Sequence, residues 1–374
     1  MKSVDHIAES LRRGERLSGE DAALLWREAP LWLLGGLALE AKRRVSGDKV
    51  FYNRNFHIEP TNICVFNCKF CSYRRPKGSS EAWDMSLEDV ERIARERAGS
   101  GATEVHIVGG VHPDRDLAYY AEMIRRVKSA LPSATVKAFT AVELFYLFSK
   151  AGISMEEGLK ILIDAGMGAI PGGGAEIFDS SLRREICPEK CSAEEWLSVH
   201  DAAHRLGLKT NATILYGHVE TIEQRIDHLL RLRAQQDSTG GFNAFVPLKF
   251  RRANNTLGES VEEVSVIDDL RMLAMSRLIL DNIPHIKAYW VMYGKQTAEL
   301  ALAFGADDVD GTIDDSTRIY SMAGAEEARP SITVGEIERM AANAGMRAVE
   351  RDTHYNIIRN VELGIGNVEL GIKG

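Results

Sequence analysis

Cysteine is scarce in this chain. The 374 residues hold five, and three of them fall between positions 64 and 71. An odd, clustered count argues against a disulfide framework and for a reducing compartment with a thiolate metal site. Long apolar runs are missing too. The best stretch, 30-PLWLLGGLALEA-41, is well short of the ~20 residues that span a bilayer, so no membrane partner is expected. The opening MKSVDHIAESLRR is amphipathic and mixed in charge. It lacks the apolar core of a signal peptide, and a cytoplasmic protein is expected. Positive charge is not in excess either: 46 Lys and Arg against 54 Asp and Glu leave a net charge of −8. An extended nucleic-acid surface needs a clustered basic face and is therefore not expected.

What is present is ordinary for a globular protein, 45% hydrophobic and 27% charged. Residues 1–50 read as helical, with Ser18 as an N-cap and Asp21 three residues on. From residue 55 short apolar runs alternate with amphipathic helices. The runs are 55–64, 104–110, 134–139, 167–174, 209–217, 242–250 and 285–292, followed by 306–312. Helices are expected at 86–101 (Ser86 and Asp89 as capping pair), 116–131, within 141–165, at 192–207, 221–236, 260–281 and 295–305. A repeated strand–helix unit of roughly 30–40 residues means a parallel sheet with covering helices. About eight such units predict an α/β fold, a closed or nearly closed (β/α) barrel; a doubly wound open sheet is the alternative. The expected layout is a helical extension at 1–50, the barrel core at 51–312, an extension packing on the barrel at 313–359, and a flexible tail at 360–374 in which NVELGI occurs twice.

The cysteine cluster is 64-CVFNCKFCSY-73, a C-x3-C-x2-C pattern of Cys64, Cys68 and Cys71. It follows the first strand-like run, in the kind of loop where barrel enzymes place their chemistry. Thiolates favour zinc, Cu(I) or iron–sulfur clusters. A structural zinc site wants a fourth Cys or His on a second short-spaced knuckle, and none is apparent. A cubane cluster takes one thiolate per iron, so three cysteines leave one iron open to a small molecule. Zinc remains the alternative on spacing alone.

With an aromatic, Phe70, before the last cysteine, the pattern resembles the radical S-adenosylmethionine superfamily. The resemblance implies a (β/α) barrel and a [4Fe–4S] cluster on Cys64, Cys68 and Cys71, which are thereby the catalytic and metal-ligating residues. It also implies S-adenosylmethionine chelated at the open iron and cleaved reductively to methionine and a 5′-deoxyadenosyl radical. The electron comes from an external low-potential donor of flavodoxin or ferredoxin type. The cofactor supplies the hard chemistry and the protein binds, orients and shields. Further cofactor contacts are implied. Phe70 and Tyr73 lie on the cluster loop. Gly109 and Gly110 in 109-GGVHP-113 allow backbone to approach the methionine amino group. Gly174 and Glu176 in 172-GGGAEI-177 follow, with Glu176 placed to accept ribose hydroxyls. Asn211 and Tyr216 in 211-NATILYGHVET-221 are placed near adenine. The plain reading of each glycine run is a strand-to-helix turn, and of Glu176 a solvated carboxylate.

The likeness extends over roughly residues 50–355. The segments HIEPTNICVFNCKFCSY, GGVHP, GGGAEIF, the GHVET-to-TGGF stretch and FVPLKF resemble the futalosine-pathway enzymes of menaquinone biosynthesis. AEIFDSSLRREIC, 287-KAYWVMYGK-295 and 352-DTHYN-356 are similar to the aminofutalosine synthase branch. That branch implies a transferase in which the adenosyl radical adds to the enol ether of 3-[(1-carboxyvinyl)oxy]benzoate. Carboxylate is lost and 6-amino-6-deoxyfutalosine results. The cyclic dehypoxanthinyl futalosine synthases, or another hydrogen-abstracting branch, are the alternative. A substrate with two carboxylates needs cationic or hydrogen-bonding partners. Arg54, Lys249, Arg251, Arg252, Asn254 and Asn255 are candidates, with Arg251 preferred. His57, His218 and His354 are placed to bind it, and Tyr289, with Trp290 and Tyr293, to stack on its ring. Most single histidines and inner-strand aromatics are core residues, which is the competing reading of each. Cys187 and Cys191 are read as free thiols, because a second cluster needs more cysteines.

Overall fold

The computed structural model describes residues 2–312, 318–324 and 330–360. The repeated-sequence tail from 361 onward lies outside them. Three helices come first: α1 (Val4–Arg12), α2 (Gly19–Glu28) and α3 (Leu31–Ser46). Ser18 caps α2 by accepting from the Asp21 N–H, as the sequence predicts. α3 packs along the helix Val266–Ile279 and buries Leu34, Leu37 and Ala38. No helix among the described residues is long and apolar enough to cross a membrane.

Strand β1 (Lys49–Asn53) runs almost directly into β2 (Asn55–Ile58). There follow β3 (Glu104–Ile107), β4 (Thr135–Ala138), β5 (Met167–Ile170), β6 (Lys209–Tyr216), β7 (Phe242–Lys249) and β8 (His285–Ile286). β9 (Asp308–Gly311), β10 (Arg347–Arg351) and β11 (Ile357–Asn360) end the described chain. β2 to β8 form one parallel sheet in sequence order. A parallel bridge from Lys287 to Asp308 ties β8 to β9. β9 pairs with β1, and β1 leads into β2. The sheet therefore curls until its last repeat lies beside its first, the (β/α) barrel that the strand–helix alternation predicts. β10 and β11 extend the β1 edge.

Register decides what faces inward. Asn55, Glu104 and Thr135 pair in one layer, and His57, His106 and Lys137 in the next. Alternation then turns Phe56, Ile58, Val105, Ile107, Val136 and Ala138 outward, where all are buried under the covering helices. Burying one such aliphatic side chain stabilises by about 1.5–3 kcal/mol. A slip of one residue exchanges these for Glu104, His106 and Lys137, so the register is strongly held. The inner face of β2, β3 and β4 is consequently polar.

Several expected elements end early, the helix expected at 86–101 at Glu96 and the run 55–64 at Ile58, and two differ more. The helix expected from 260 begins at Val266, because Ser265 and Asp268 form a capping box there. The run 285–292 is strand only at His285–Ile286 and then turns into a short helix, Trp290–Tyr293. Tertiary contacts turn it: the Trp290 indole donates to Gly311 O at 3.2 Å and the Tyr293 hydroxyl to Pro247 O at 2.6 Å.

Candidate active site

Beyond β2, bridges Thr61–Asp84 and Ile63–Arg75 close the loop that carries the three cysteines. Neighbouring loops clamp it. Val65 N donates to Val111 O at 3.0 Å, Lys69 N to Ile186 O at 2.9 Å, and Leu257 N to Lys69 O at 2.9 Å. Asn67 N reaches Glu189 Oε2 at 2.6 Å and Ser72 Oγ reaches Ala253 O at 2.6 Å. Gly109 and Gly110 belong to the same clamp. A Cβ on Gly109 would sit 2.7 Å from Thr61 O, and one on Gly110 would overlap the Ile63 carbonyl. Their immediate purpose is thus to let the loop after β3 lie against the cluster loop's own backbone.

Cys64, Cys68 and Cys71 are half-buried free thiols that line a single cavity of about 310 Å³. In the bare chain burial pushes the Cys64 and Cys68 thiols up, so ligation must displace their protons. Among the described residues no three His, Cys, Asp or Glu side chains converge on one ion position. Three soft thiols lining one cavity match a polynuclear iron–sulfur cluster with one thiolate per iron. The residues fit the cluster.

The loop after β5 forms the adjoining wall. The Thr213 hydroxyl donates to Gly172 O at 2.7 Å, and Gly174 has φ +86°, with Val142 filling the place of its Cβ. Glu176 has φ +49°, uncommon for a residue with a side chain. Its carboxylate meets Lys190 Nζ at 2.6 Å, and that ammonium also stands 5.1 Å over the Phe70 ring. The segment between Cys187 and Cys191 therefore packs against the cluster loop, with both thiols free and buried. Glu143 is pushed up to about 7 by burial, partly offset by hydrogen bonds from Thr140 and Gly109 N–H. Glu59, likewise pushed by burial to about 7, accepts from Arg318 N at 2.9 Å. That contact brings Ile319 and Tyr320 onto the cavity.

The deep end is charged. His57, Glu104, His106, Lys137, Lys287 and Asp310 all line the cavity. Lys137 pairs with Glu104 at 2.7 Å and Lys287 with Asp310 at 2.6 Å. Although burial opposes it, the two lysines hold Glu104 down at about 2. His57 and His106 share a 3.0 Å contact between ring nitrogens. Burial lowers His57 to about 4 and His106 well below its usual range, so both are neutral at pH 7.

Of the residues singled out in the sequence, the three cysteines, Phe70, Tyr73, Gly109, Gly110, Gly174, Glu176, Asn211, His57, Lys249, Arg251 and Tyr289 line this cavity. Tyr73 also braces the loop, its hydroxyl on Thr61 O at 3.1 Å. Arg251 is engaged by Gly324 O at 2.8 Å and by Glu263 at 3.3 Å. Lys249 is held by Asp269 at 2.9 Å. The structure does not bring Tyr216, His218 or His354 to the cavity. Asn211, Thr213 and Leu215 face inward on β6, so Tyr216 points outward, its hydroxyl on Asp269 at 2.7 Å. His218 is drawn away by Leu215 O at 3.1 Å and Glu220 at 3.2 Å. His354 is exposed in the turn that Asp352 caps. Arg54, Arg252, Asn254, Asn255, Trp290 and Tyr293 are not cavity residues either. They serve Glu350, Glu262, Met322 O, the 251–258 loop, Gly311 O and Pro247 O respectively.

Sequence reasoning missed Glu104, His106, Lys137, Lys190, Glu143, Lys287 and Asp310. A signal existed for the first three: charged or polar side chains at alternate positions inside EVHI and TVKA interrupt runs that a doubly covered parallel strand otherwise keeps apolar.

Comparison with known families and structures agrees with this geometry. Residues 58–232 match the model of the radical SAM superfamily, and residues 239–363 that of the CofH/MqnC C-terminal region. The chain is 43% identical to an aminodeoxyfutalosine synthase of Thermus thermophilus over 94% of this chain and 95% of that protein. It is 40% identical to the enzyme of that name from Streptomyces coelicolor, over 95% and 94%. A 5-amino-6-(D-ribitylamino)uracil–L-tyrosine 4-hydroxyphenyl transferase of Methanosarcina mazei is 36% identical over 98% and 94%. Among solved structures, methylornithine synthase superposes with a TM-score of 0.72 at 18% identity, covering 91% of this chain and 96% of its own.

Proposed function

The chain belongs to the radical SAM superfamily, and from that premise we propose that it is an aminofutalosine synthase of menaquinone biosynthesis. Membership makes it an enzyme that works with a [4Fe–4S] cluster and S-adenosylmethionine. What supports the narrower reading is the end-to-end match with two aminodeoxyfutalosine synthases, at higher identity than the tyrosine-using transferase. When bound, the cluster and S-adenosylmethionine supply an adenosyl radical for addition to the enol ether of 3-[(1-carboxyvinyl)oxy]benzoate, giving 6-amino-6-deoxyfutalosine with loss of carboxylate.

The chain's own residues set the stage for that addition. Cys64, Cys68 and Cys71, which line the cavity, would hold the cluster. Glu176, fixed by Lys190 at 2.6 Å, is positioned for the ribose, and Asn211 and Thr213 complete that wall. Val246, Leu248 and Met292, with the rings of Tyr289 and Tyr320, offer an aryl group an apolar lining.

Anaerobic turnover with S-adenosylmethionine, an external low-potential donor and the enol-ether benzoate tests the reading. The expected product carries the mass of the adenosyl adduct. Release of 5′-deoxyadenosine in step with product, with no adduct, would instead favour a hydrogen-abstracting reaction. The match to the CofH/MqnC C-terminal region makes such a reaction the second reading.

A further inference from the structure

We propose that the charged end of the barrel is a seat for an aromatic carboxylate, in which Lys137, Lys287 and His106 bind the ring carboxylate of the substrate and select for it. The identity of the ligand rests on the proposed reaction; the seat itself rests on geometry. His57, Glu104, His106 and Lys137 lie inside β2, β3 and β4, whereas the cysteines lie on the loop beyond β2. The cavity therefore runs from the cluster loop down to this floor, with apolar Val246, Leu248 and Met292 and the Tyr289 ring along it. An aryl ring along that lining points a substituent away from the cluster and at the lysines.

The floor has donors to spare. An ammonium carries three N–H groups. Among the described residues Lys137 meets one carboxylate, Glu104 at 2.7 Å, and Lys287 one, Asp310 at 2.6 Å. His106 Nε2 is buried without a hydrogen-bond partner among the described residues. A buried polar group left unpaired is costly, and a ligand oxygen removes that cost. Glu104 and Asp310 also fix the ammonium groups in place beforehand, so no reorganisation is needed when an anion arrives. Buried ion pairs are poor stabilisers, since apolar side chains of like volume usually do as well. Two such pairs opening into the reaction cavity are better explained by recognition than by stability.

The test measures binding rather than turnover, on cluster-loaded protein with S-adenosylmethionine present. Two unreactive analogues are compared by anaerobic calorimetry: 3-(1-carboxyethoxy)benzoate and 2-phenoxypropanoate, which lacks the ring carboxylate. The wild type is expected to prefer the first by about ten- to hundredfold, the range of hydrogen bonds to charged groups. Two paired variants remove one lysine each without stranding its carboxylate: Lys137→Met with Glu104→Gln, and Lys287→Met with Asp310→Asn. Each is expected to keep its iron content and S-adenosylmethionine affinity and to lose most of the preference. No preference in the wild type, or full preference in either folded, cluster-loaded variant, overturns the proposal. If the preference is seen but no adenosyl adduct forms on turnover, the reaction assignment fails and the carboxylate seat stands.

Discussion

At the scale of single residues, the three cysteines and the buried carboxylates respond to different experiments. Cys68 contributes a thiol to the cavity wall and packs only partly against the core. Cys68→Ala is therefore expected to abolish cluster loading and turnover while far-UV circular dichroism stays that of the folded barrel; iron analysis reads the first and the spectrum the second. Turnover retained without the thiol would sink the cluster assignment. Glu143 makes a pH prediction. Its folded value, about 7, lies above the ordinary 4.5. Between those values the folded protein binds more protons than the unfolded chain, so stability falls as pH rises through that window. Glu143→Gln keeps the hydrogen-bonding shape of the cap on Thr140 and removes the titration. The thermal midpoint of the variant should fall less than that of the wild type between about pH 5 and pH 7. Parallel profiles would show that the buried carboxyl does not carry the effect.

At the scale of elements, the site is made by loops that lock one another. Four come together at the cluster: the cysteine loop itself and those after β3, β5 and β7, tied mostly through backbone hydrogen bonds. Gly110 is where the loop after β3 meets the cysteine loop most tightly, because any Cβ there meets the Ile63 carbonyl. Backbone cannot yield as the end of a long side chain does. Gly110→Ala is expected to move the cysteine loop, cutting iron incorporation severalfold and weakening S-adenosylmethionine binding. Iron per chain after anaerobic reconstitution is the measurement. Most covering helices carry their own N-caps, such as Ser86 with Asp89 and Thr221 with Gln224. A lost cap costs only about 1 kcal/mol, so removing the Ser86 or Thr221 cap should leave the site intact.

At the scale of the molecule, the C-terminal residues and the barrel are joined through Asp308. It accepts from Arg351 Nε at 2.6 Å and the Tyr355 hydroxyl at 2.7 Å. Beside it the Tyr355 and His285 rings stack at 3.6 Å. Arg351 is 1% exposed, and a buried charge robbed of its partner typically costs about 3–5 kcal/mol. Asp308→Asn should therefore lower the denaturation midpoint strongly. Arg347 and Asp48 also join the C-terminal residues to β1, at 3.0 Å but near the surface. Asp48→Asn should cost under about 1 kcal/mol. Equal losses in the two variants would mean that burial is not what separates them.

Much of this was legible in the chain itself. Alternating short Val- and Ile-rich runs and capped helices determined the barrel, since both are local signals set by side-chain spacing and N-cap chemistry. The spacing of Cys64, Cys68 and Cys71 determined the kind of chemistry, because three thiolates on one short loop leave one position open. Glu176 was marked by its place after a glycine run. The floor of the cavity was decided only by tertiary structure. Glu104, Lys137 and Asp310 stand far apart in sequence on β3, β4 and β9, and only strand register turns them to one interior. The same alternation turned Tyr216 away, and local hydrogen bonds withdrew His218 and His354. Sequence states which residue types are available; the direction in which a side chain points depends on neighbours that only folding supplies.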